Sequence, residues 1–502
     1  MNKKYEEYRS MMRKIADINY SASLLSWDQE VMMPEKGADM RAQQLATLSG
    51  ISHEQSTRPE LGTLLEELNA DNTLSEKEKR DVKRSLKDYT DRKKFTTEFV
   101  ETLNRCVSEA FQAWQTAKQK SDFSIFAPKL EKLVELKRKE CEIIGYKEHP
   151  YDALIDQYEP GTTTKFLEGL FADVRKELVD FVKQISVAQQ NEDKFMFKHY
   201  PKDVQWKYGL DILRNMHFDF EAGRQDISTH PFTTSFSSLD VRVTTRIDEN
   251  NFNEMLWSCI HEGGHALYEQ GLHIDNYGLP TGEAASLGIH ESQSRLWENC
   301  VGRCLPFWKA NYNKLQNIFP ENLKNVSLTD FYKAMNKVQP SLIRTNADEL
   351  TYHSHILIRF EIEKALIEGS IEVKDLPAYW NAKYKEYLGI DVPDDANGVL
   401  QDIHWSHGGF GYFATYSLGS FYAAQFYAQA KKDIPGLESE LEKGNNLPLL
   451  NWLREKIHRY GRFYTAEELC INTTGEKLNF NYFMDYAKKK YEGIYNMKSV
   501  HS

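Results

Sequence analysis

Apolar residues recur at three- and four-residue spacing through most of the first two hundred residues. In segments 74–84 and 126–138, Leu and Val occur at this spacing among abundant Lys, Arg and Glu. An apolar stripe on an otherwise charged surface is typical of an amphipathic helix with one face on a core. The pattern therefore predicts a helical N-terminal part whose charged runs are solvated faces.

The spacing changes to a period of two between residues 232 and 247, where Thr, Ser and Val dominate. Alternating β-branched residues favour strands, so this segment predicts a small antiparallel hairpin. Helical spacing returns from residue 251, with turn signals at 392–398 and around 408–411. Because no flexible linker is visible, we expect a mainly α fold over 1–502 with two lobes beside a groove. A helical part, about 1–225, would cap that groove, and a catalytic part would span about 226–502.

Composition narrows the class of protein. The chain has 502 residues, 41% apolar and 27% charged, as in soluble globular proteins. The N-terminal residues form a charged pattern without the apolar core of a secretory signal, and the six cysteines include no C-x-x-C pair. We therefore expect a cytoplasmic protein with reduced thiols. A net charge of −11 argues against nucleic acid as a partner, and no apolar run is long enough for a membrane helix.

The most informative motif is His261-Glu262-Gly263-Gly264-His265, which follows the predicted hairpin. Residues four apart on a helix lie one turn above each other, so both imidazoles can bind one metal ion. Glu262 would then act as general base on a metal-activated water that attacks a peptide carbonyl. Each glycine costs a helix interior about 1 kcal/mol relative to Ala, which suggests that a backbone or a substrate approaches closely here.

A catalytic zinc usually takes three protein ligands, so one more must lie outside this helix. Four downstream acids are candidates: Glu269, Glu283, Glu291 and Glu298. Glu269 lies too far along the same helix, and Glu283 has a turn-like context. Glu291 begins a second helical run and is the favoured ligand, although spacing alone does not separate it from Glu283.

Two other segments are too polar in composition for a buried core. Residues 398–416 combine histidines, tyrosines, an amide and glycines, which are groups that can stabilise an oxyanion. Residues 343–349 place Arg344 beside two acids, a pattern that, taken alone, favours a surface ion pair.

Together these segments resemble the carboxypeptidase Taq family of thermostable metallocarboxypeptidases. The resemblance rests on six ordered motifs: His230-Pro231-Phe232, Asp240-x-Arg242-x-Thr244, His261-Glu262-x-x-His265, His290-Glu291-Ser292-Gln293, Ile343-Arg344-x-Asn346-Ala347-Asp348 and Gly398-x-x-Gln401-Asp402-x-His404-Trp405. The N-terminal Leu25-Ser26-Trp27-Asp28-Gln29 with Met33-Pro34 is similar to that family too. The likeness therefore extends over nearly the whole chain.

The resemblance implies a helical fold with a long groove, related to neurolysin and angiotensin-converting enzyme, and a homodimer. Family members release single residues from peptide C-termini with broad preference but poorly at proline, using Zn²⁺ or Co²⁺. By motif, His261, His265 and Glu291 are metal ligands and Glu262 is the general base.

The resemblance also implies roles for residues outside the metal helix. Arg344 is similar to the family arginine that meets the substrate's C-terminal carboxylate, and Arg242 to one at the closed side of the groove. Gln401 and His404 are expected to bind substrate. The catalytic candidates of the 398–416 segment are His407, Tyr412 and Tyr416, of which Tyr416 is favoured as the donor to the transition state.

Two other peptidase hypotheses compete with a carboxypeptidase. An H-E-x-x-H endopeptidase would need no substrate role for Arg344, and an aminopeptidase would carry a Gly-x-Met-Glu-Asn segment that this sequence lacks. A helical scaffold with a degenerate metal site is disfavoured, because every position that the chemistry needs is filled.

Overall fold

The structure is a computed structural model that describes residues 2–188 and 190–497. Helices dominate, as the spacing predicts, and the helices of the described residues are, in chain order, α1 (Lys3–Val31), α2 (Ala38–Thr57), α3 (Pro59–Asn69), α4 (Glu76–Lys93), α5 (Thr97–Lys120), α6 (Ala127–Ile144), α7 (Asp152–Ile155), α8 (Thr164–Asp173), α9 (Val179–Ser186), α10 (Lys202–Asn215), α11 (Phe252–Glu269), α12 (Leu287–Arg295), α13 (Leu305–Ile318), α14 (Pro320–Leu323), α15 (Leu328–Met335), α16 (Tyr352–Glu368), α17 (Leu376–Leu388), α18 (Ala414–Asp433), α19 (Leu437–Glu442), α20 (Leu447–Lys456), α21 (Ala466–Thr474) and α22 (Asn481–Ile494). None of these helices is both long and apolar enough to cross a membrane.

The chain divides into two compact units, each built from three segments. The first unit comprises Met1–Lys93, Glu192–Met335 and Tyr422–Leu478. The second comprises Lys94–Asn191, Asn336–Phe421 and Asn479–Ser502. These boundaries come from packing, and the sequence-based division near residue 225 stays a prediction.

The first unit contains a three-stranded sheet beside the predicted metal helix. Its strands are β1 (Gly223–Ile227), β2 (Thr233–Ser237) and β3 (Asp240–Thr245), in the order β1-β3-β2. β2 and β3 form the predicted antiparallel hairpin, with Thr233 opposite Val243. β1 adds a parallel strand that the sequence did not predict, because its Gly-Arg-Gln-Asp-Ile run has neither β-branched enrichment nor clean alternation.

The long N-terminal helices of this unit pack through leucines and tyrosines. Tyr8, Leu65 and Val82, from α1, α3 and α4, are fully buried in one cluster with Leu279. Complete burial of one such side chain contributes about 1.5–3 kcal/mol to folding. In the second unit α16 is buried on almost every side, with Ile356, Leu357 and Ile358 fully enclosed. α16 carries Tyr352 and Arg359, two members of a polar cluster described below.

Candidate active site

Two helices of the first unit bring three possible metal ligands together. α11 begins after Asn251, whose side chain caps it by accepting from the backbone N–H of Asn253, and it carries His261 and His265 one turn apart. α12 presents Glu291, whose Oε2 lies 3.7 Å from Nε2 of His261 and 3.3 Å from Nε2 of His265. A tetrahedral ion with bonds of about 2.1 Å needs ligand atoms roughly 3.4 Å apart, so this His₂Glu set fits a divalent metal.

Gly264 explains how Glu291 reaches the histidines. A Cβ atom at Gly264 would lie 2.7 Å from both the carbonyl oxygen of Gln293 and the Cα of Ser294, which are backbone atoms of α12. Any larger residue would push α12 away from α11. The expected close approach is therefore the packing of the ligand-bearing helix itself.

Glu298 orients the first histidine. Nδ1 of His261 donates to Oε2 of Glu298 at 2.8 Å, which leaves Nε2 directed at the metal position. Glu298 also pairs with Arg295 at 3.3 Å and Arg303 at 3.2 Å. This acid, one of the four ligand candidates, thus lies behind His261, on the side away from Glu291.

Arg295 contacts both Glu291 and Glu298. Its Nε donates to Oε1 of Glu291 at 2.6 Å, which leaves Oε2 on the histidine side. Burial alone would raise the pKa of Glu291 and of Glu298, but Arg295 and His261 hold both values well below the usual range. Glu291 is therefore a carboxylate, the form that binds a metal.

Glu262 is buried and has one defined partner. The hydroxyl of Thr233, on β2, donates to its Oε2 at 2.7 Å and also lies 2.9 Å from its backbone oxygen. No hydrogen bond to Oε1 occurs among the described residues.

The two other acids considered as ligands have different partners. Glu269 accepts from Nε2 of His290 at 2.7 Å and from Ser235 at 2.7 Å. Glu283 accepts from Arg462 at 3.0 Å. The geometry therefore favours Glu291 over Glu283, a choice that spacing left open.

A second polar cluster lies within the second unit and is centred on Asp402. Its carboxylate accepts from Arg344, with Nε at 2.9 Å and Nη2 at 2.8 Å, and from Nε of Arg359 at 2.6 Å. Nη1 of Arg344 also donates to the hydroxyl of Tyr352 at 3.1 Å. Although burial would raise the pKa of Asp402, the two arginines hold it well below its usual range. Two cations thus meet one anion in a nearly buried cluster.

A histidine and a tyrosine complete this cluster. Nε2 of His404 lies 3.4 Å from the hydroxyl of Tyr416, and the guanidinium of Arg344 lies over the Tyr416 ring at 5.2 Å. Burial lowers the pKa of His404 to about 4, so its imidazole is neutral at pH 7. The Tyr412 ring is 5.3 Å from that of Tyr416.

Gln401 supports the cluster through every amide atom. Its oxygen accepts from the backbone N–H of Arg344 at 3.0 Å and from Arg359 at 2.9 Å. Its nitrogen donates to the carbonyl groups of Leu342 and Asn397. This arrangement fixes the segment that carries Arg344.

His407 lies apart from these groups. It is exposed on a short turn, and its ring packs 4.8 Å from that of Phe111. The structure therefore does not bring His407 together with His404 and Tyr416.

Arg242 lies on β3, in the first unit. It pairs with Asp240 at 3.0 Å, and its guanidinium is 4.4 Å from the centre of the Trp27 ring and 4.9 Å from that of Phe236. The two sequence motifs that contain Trp27 and Arg242, both among those that resemble the carboxypeptidase Taq family, are thus in contact.

Sequence reasoning missed Arg359 and Thr233. Arg359 is fully buried inside the apolar run Ile356-Leu357-Ile358-Arg359-Phe360. A charged residue in such a run predicts a buried ion pair, so the sequence contained a signal for it. Thr233 gave no signal beyond its place in a strand.

Comparisons with known proteins identify the family of the chain. Residues 7–491 match the family model described as "Carboxypeptidase Taq (M32) metallopeptidase". The chain is 41% identical to "Carboxypeptidase 1" of Bacillus subtilis over 493 residues, 98% of each chain. It superposes with a TM-score of 0.97 on a structure named "The Structure of CHT", at 55% identity over 98% of this chain and 99% of that one. An M32 carboxypeptidase structure from Deinococcus radiodurans R1 gives a TM-score of 0.97 at 36% identity, covering 99% and 100%. As its motifs predict, the chain belongs to the carboxypeptidase Taq (M32) family and is a metal-dependent carboxypeptidase.

Proposed function

We propose that His261, His265 and Glu291 hold a catalytic Zn²⁺, with Co²⁺ as an alternative ion. The observation that carries this proposal is the convergence of their three ligand atoms within 4.8 Å of one another. A divalent ion bound there supplies Lewis-acid chemistry, which polarises a peptide carbonyl and activates water. His₂Glu sets accept several divalent ions, so availability decides which is bound.

Glu262 is the general base of the proposed reaction. It takes a proton from the attacking water and later delivers it to the amine that leaves. Its carboxylate has one oxygen engaged by Thr233. The other oxygen is the atom that exchanges the proton.

Arg344 binds the C-terminal carboxylate of the peptide in this proposal. The Arg344, Arg359 and Asp402 cluster carries one more cation than anion, and burial strengthens its attraction for an anion. A guanidinium recognises a carboxylate through two parallel hydrogen bonds. This preference for a free C-terminus distinguishes a carboxypeptidase from an endopeptidase.

Tyr416 donates to the oxygen that becomes negative in the transition state, as oxyanion donors do. The neutral His404 beside its hydroxyl fixes the direction of that donor. Tyr412 is a second candidate donor, and His407 a weaker one because it lies outside this cluster. Gln401 holds Arg344 in place, and Arg242 limits the length of the bound peptide.

The remaining features follow from the family resemblance. The enzyme removes single C-terminal residues with broad preference, acts poorly at proline, and forms a homodimer. A cytoplasmic location, where thiols stay reduced, is consistent with cysteines of which five out of six are buried.

A mass-spectrometric time course tests the activity. One mixed-sequence peptide is supplied as the free acid and as the C-terminal amide, to enzyme loaded with zinc or with cobalt. Stepwise loss of single residues from the free acid only is expected. Internal cleavage of both peptides would support an endopeptidase instead.

A further inference from the structure

Two hydroxyl groups of the edge strand β2 each hold a glutamate of α11. Thr233 donates to Glu262 at 2.7 Å, and Ser235, two residues further along the strand, donates to Glu269 at 2.7 Å. Residues two apart on a strand project from the same face. The face of β2 towards α11 is thus a row of hydroxyl donors to acids.

The strand itself is firmly placed. β2 is paired with β3, where Val243 lies opposite Thr233, and Val243 is fully buried. A β-branched side chain such as Thr has few accessible χ1 rotamers, so the Oγ1 of Thr233 has a nearly fixed position. Glu262 has several rotatable bonds and depends on a partner to stay in one rotamer.

We propose that Thr233 is a positioning residue that fixes the carboxylate of Glu262 for proton transfer. By holding Oε2, Thr233 directs Oε1 at the water and stops the carboxylate from rotating. The inference rests on the proposed role of Glu262 as general base. Proton transfer is sensitive to such alignment, because donor and acceptor must lie about 2.6–3.2 Å apart.

A purely structural role predicts different behaviour. The same hydroxyl is 2.9 Å from the backbone oxygen of Glu262, so it could simply satisfy a helix carbonyl. Loss of that bond would lower thermal stability and metal content without a selective loss of turnover.

The test compares Thr233→Val, which keeps the shape, with Thr233→Ser, which keeps the hydroxyl. The zinc-loaded variants are assayed for kcat, KM, metal content and Tm on one free-acid peptide. We expect Thr233→Val to lower kcat about 10- to 100-fold, with KM and metal content unchanged, and Thr233→Ser to remain within about 3-fold of the wild type. Turnover within 2-fold in Thr233→Val, or a loss that follows metal content or Tm, would overturn the proposal.

Ser235→Ala is the matched control, since it removes the neighbouring hydroxyl from the same face but affects Glu269, which keeps its hydrogen bond from His290. We expect its kcat to stay within about 3-fold of the wild type. An equal loss in Ser235→Ala and Thr233→Val would mean that the strand matters only as a support, and would contradict a specific role for Thr233.

Glu262→Gln separates this inference from the proposed function. In that background Thr233→Val should cause no additional loss, because Thr233 acts through the Glu262 carboxylate. If Glu262→Gln alone keeps normal turnover, the general-base role fails, and the inference fails with it. If Glu262→Gln is inactive but Thr233→Val is normal, only the inference on Thr233 is wrong.

Discussion

The buried polar clusters of the two units differ in the sign of their excess charge. In the first unit, Glu291 and Glu298 share Arg295 and Arg303, and the buried Glu262, which is held by Thr233, adds a third acidic side chain. In the second, two arginines share one acid: Arg344 and Arg359 with Asp402. Each cluster is nearly enclosed, so neither imbalance is neutralised by water as it would be at the surface.

This difference matches the two ligands of a metallocarboxypeptidase. An excess of carboxylates around two imidazoles attracts a divalent cation, and an excess of guanidinium attracts a carboxylate. The whole chain carries a net charge of −11, so its surface would repel an anionic peptide end. In the proposed mechanism, the local cation excess in the second unit offsets that repulsion.

In the first cluster, the substitution with the largest expected effect on turnover is Glu262→Gln. This change removes the proton acceptor but leaves His261, His265 and Glu291 in place. We expect kcat to fall about 10³- to 10⁴-fold with metal content unchanged. Steady-state kinetics with elemental analysis of the same sample measures both, and normal turnover at full metal content would remove Glu262 from the mechanism.

In the second cluster, the substitution with the largest expected effect is Arg344→Ala. We expect kcat/KM on a free-acid peptide to fall about 10²- to 10³-fold, which corresponds to roughly 3–4 kcal/mol for a lost charged pair. Hydrolysis of the C-terminal amide, which we expect to be slow in the wild type, should change little. Lys118→Ala is a control, since this cation donates to the backbone oxygen of Gln401 and has no substrate role in the proposal. Equal losses on both peptides would argue against carboxylate recognition.

The buried histidines give a pH test of each unit. His458, in the first unit, is fully buried and donates to Gln293, and burial lowers its pKa to about 3. In the unfolded chain the pKa of this histidine is about 6.5. Between about pH 3 and pH 6.5 the unfolded chain therefore binds a proton that the folded chain does not bind. The contribution of the neutral His458 to the free energy of unfolding is fully present above about pH 6.5. It is lost as the pH is lowered, by about 3 kcal/mol at pH 4.

Chemical unfolding at pH 7 and pH 4 checks this expectation. His458→Gln, which cannot titrate, should lose less free energy of unfolding between the two pH values than the wild type does. His404→Gln makes the same comparison in the second unit, where the pKa is about 4. Identical pH dependence in wild type and His458→Gln would contradict the assignment of a buried neutral histidine.

The smallest expected effect comes from the acid behind the metal ligand. Glu298→Gln keeps an acceptor for His261 but removes its charge. Metal affinity should fall about 10- to 100-fold, as is usual for such partners. Competition with a zinc chelator measures it, and an unchanged affinity would show that Glu298 only supports the fold.

The sequence was most informative where short-range geometry determines the site. The spacing of His261 and His265 fixes both on one helix face, and Gly264 correctly indicated a close approach. The third ligand was left open because the 21 residues between Glu269 and Glu291 follow no regular spacing. Only tertiary packing of α12 on α11 favours Glu291 over Glu283.

Contacts between distant segments were harder to predict. Arg359 meets Asp402 across 43 residues, and Thr233 meets Glu262 across 29. No local sequence pattern predicts either pair, because a hydroxyl on a strand or an arginine on a helix could equally well be exposed to solvent. For the same reason His407, beside His404 in sequence, gave no sign that its ring would turn towards Phe111.

The central claim is that one cluster holds a cation and the other a peptide carboxylate. It is tested most directly by crystallography of the zinc-loaded Glu262→Gln enzyme with a short free-acid peptide, with anomalous data across the zinc edge. We predict one anomalous peak about 2.0–2.2 Å from His261 Nε2, His265 Nε2 and Glu291, and the peptide carboxylate within about 3 Å of Arg344. Zinc at other residues, or a carboxylate bound to a different cation such as Arg242, would contradict the account.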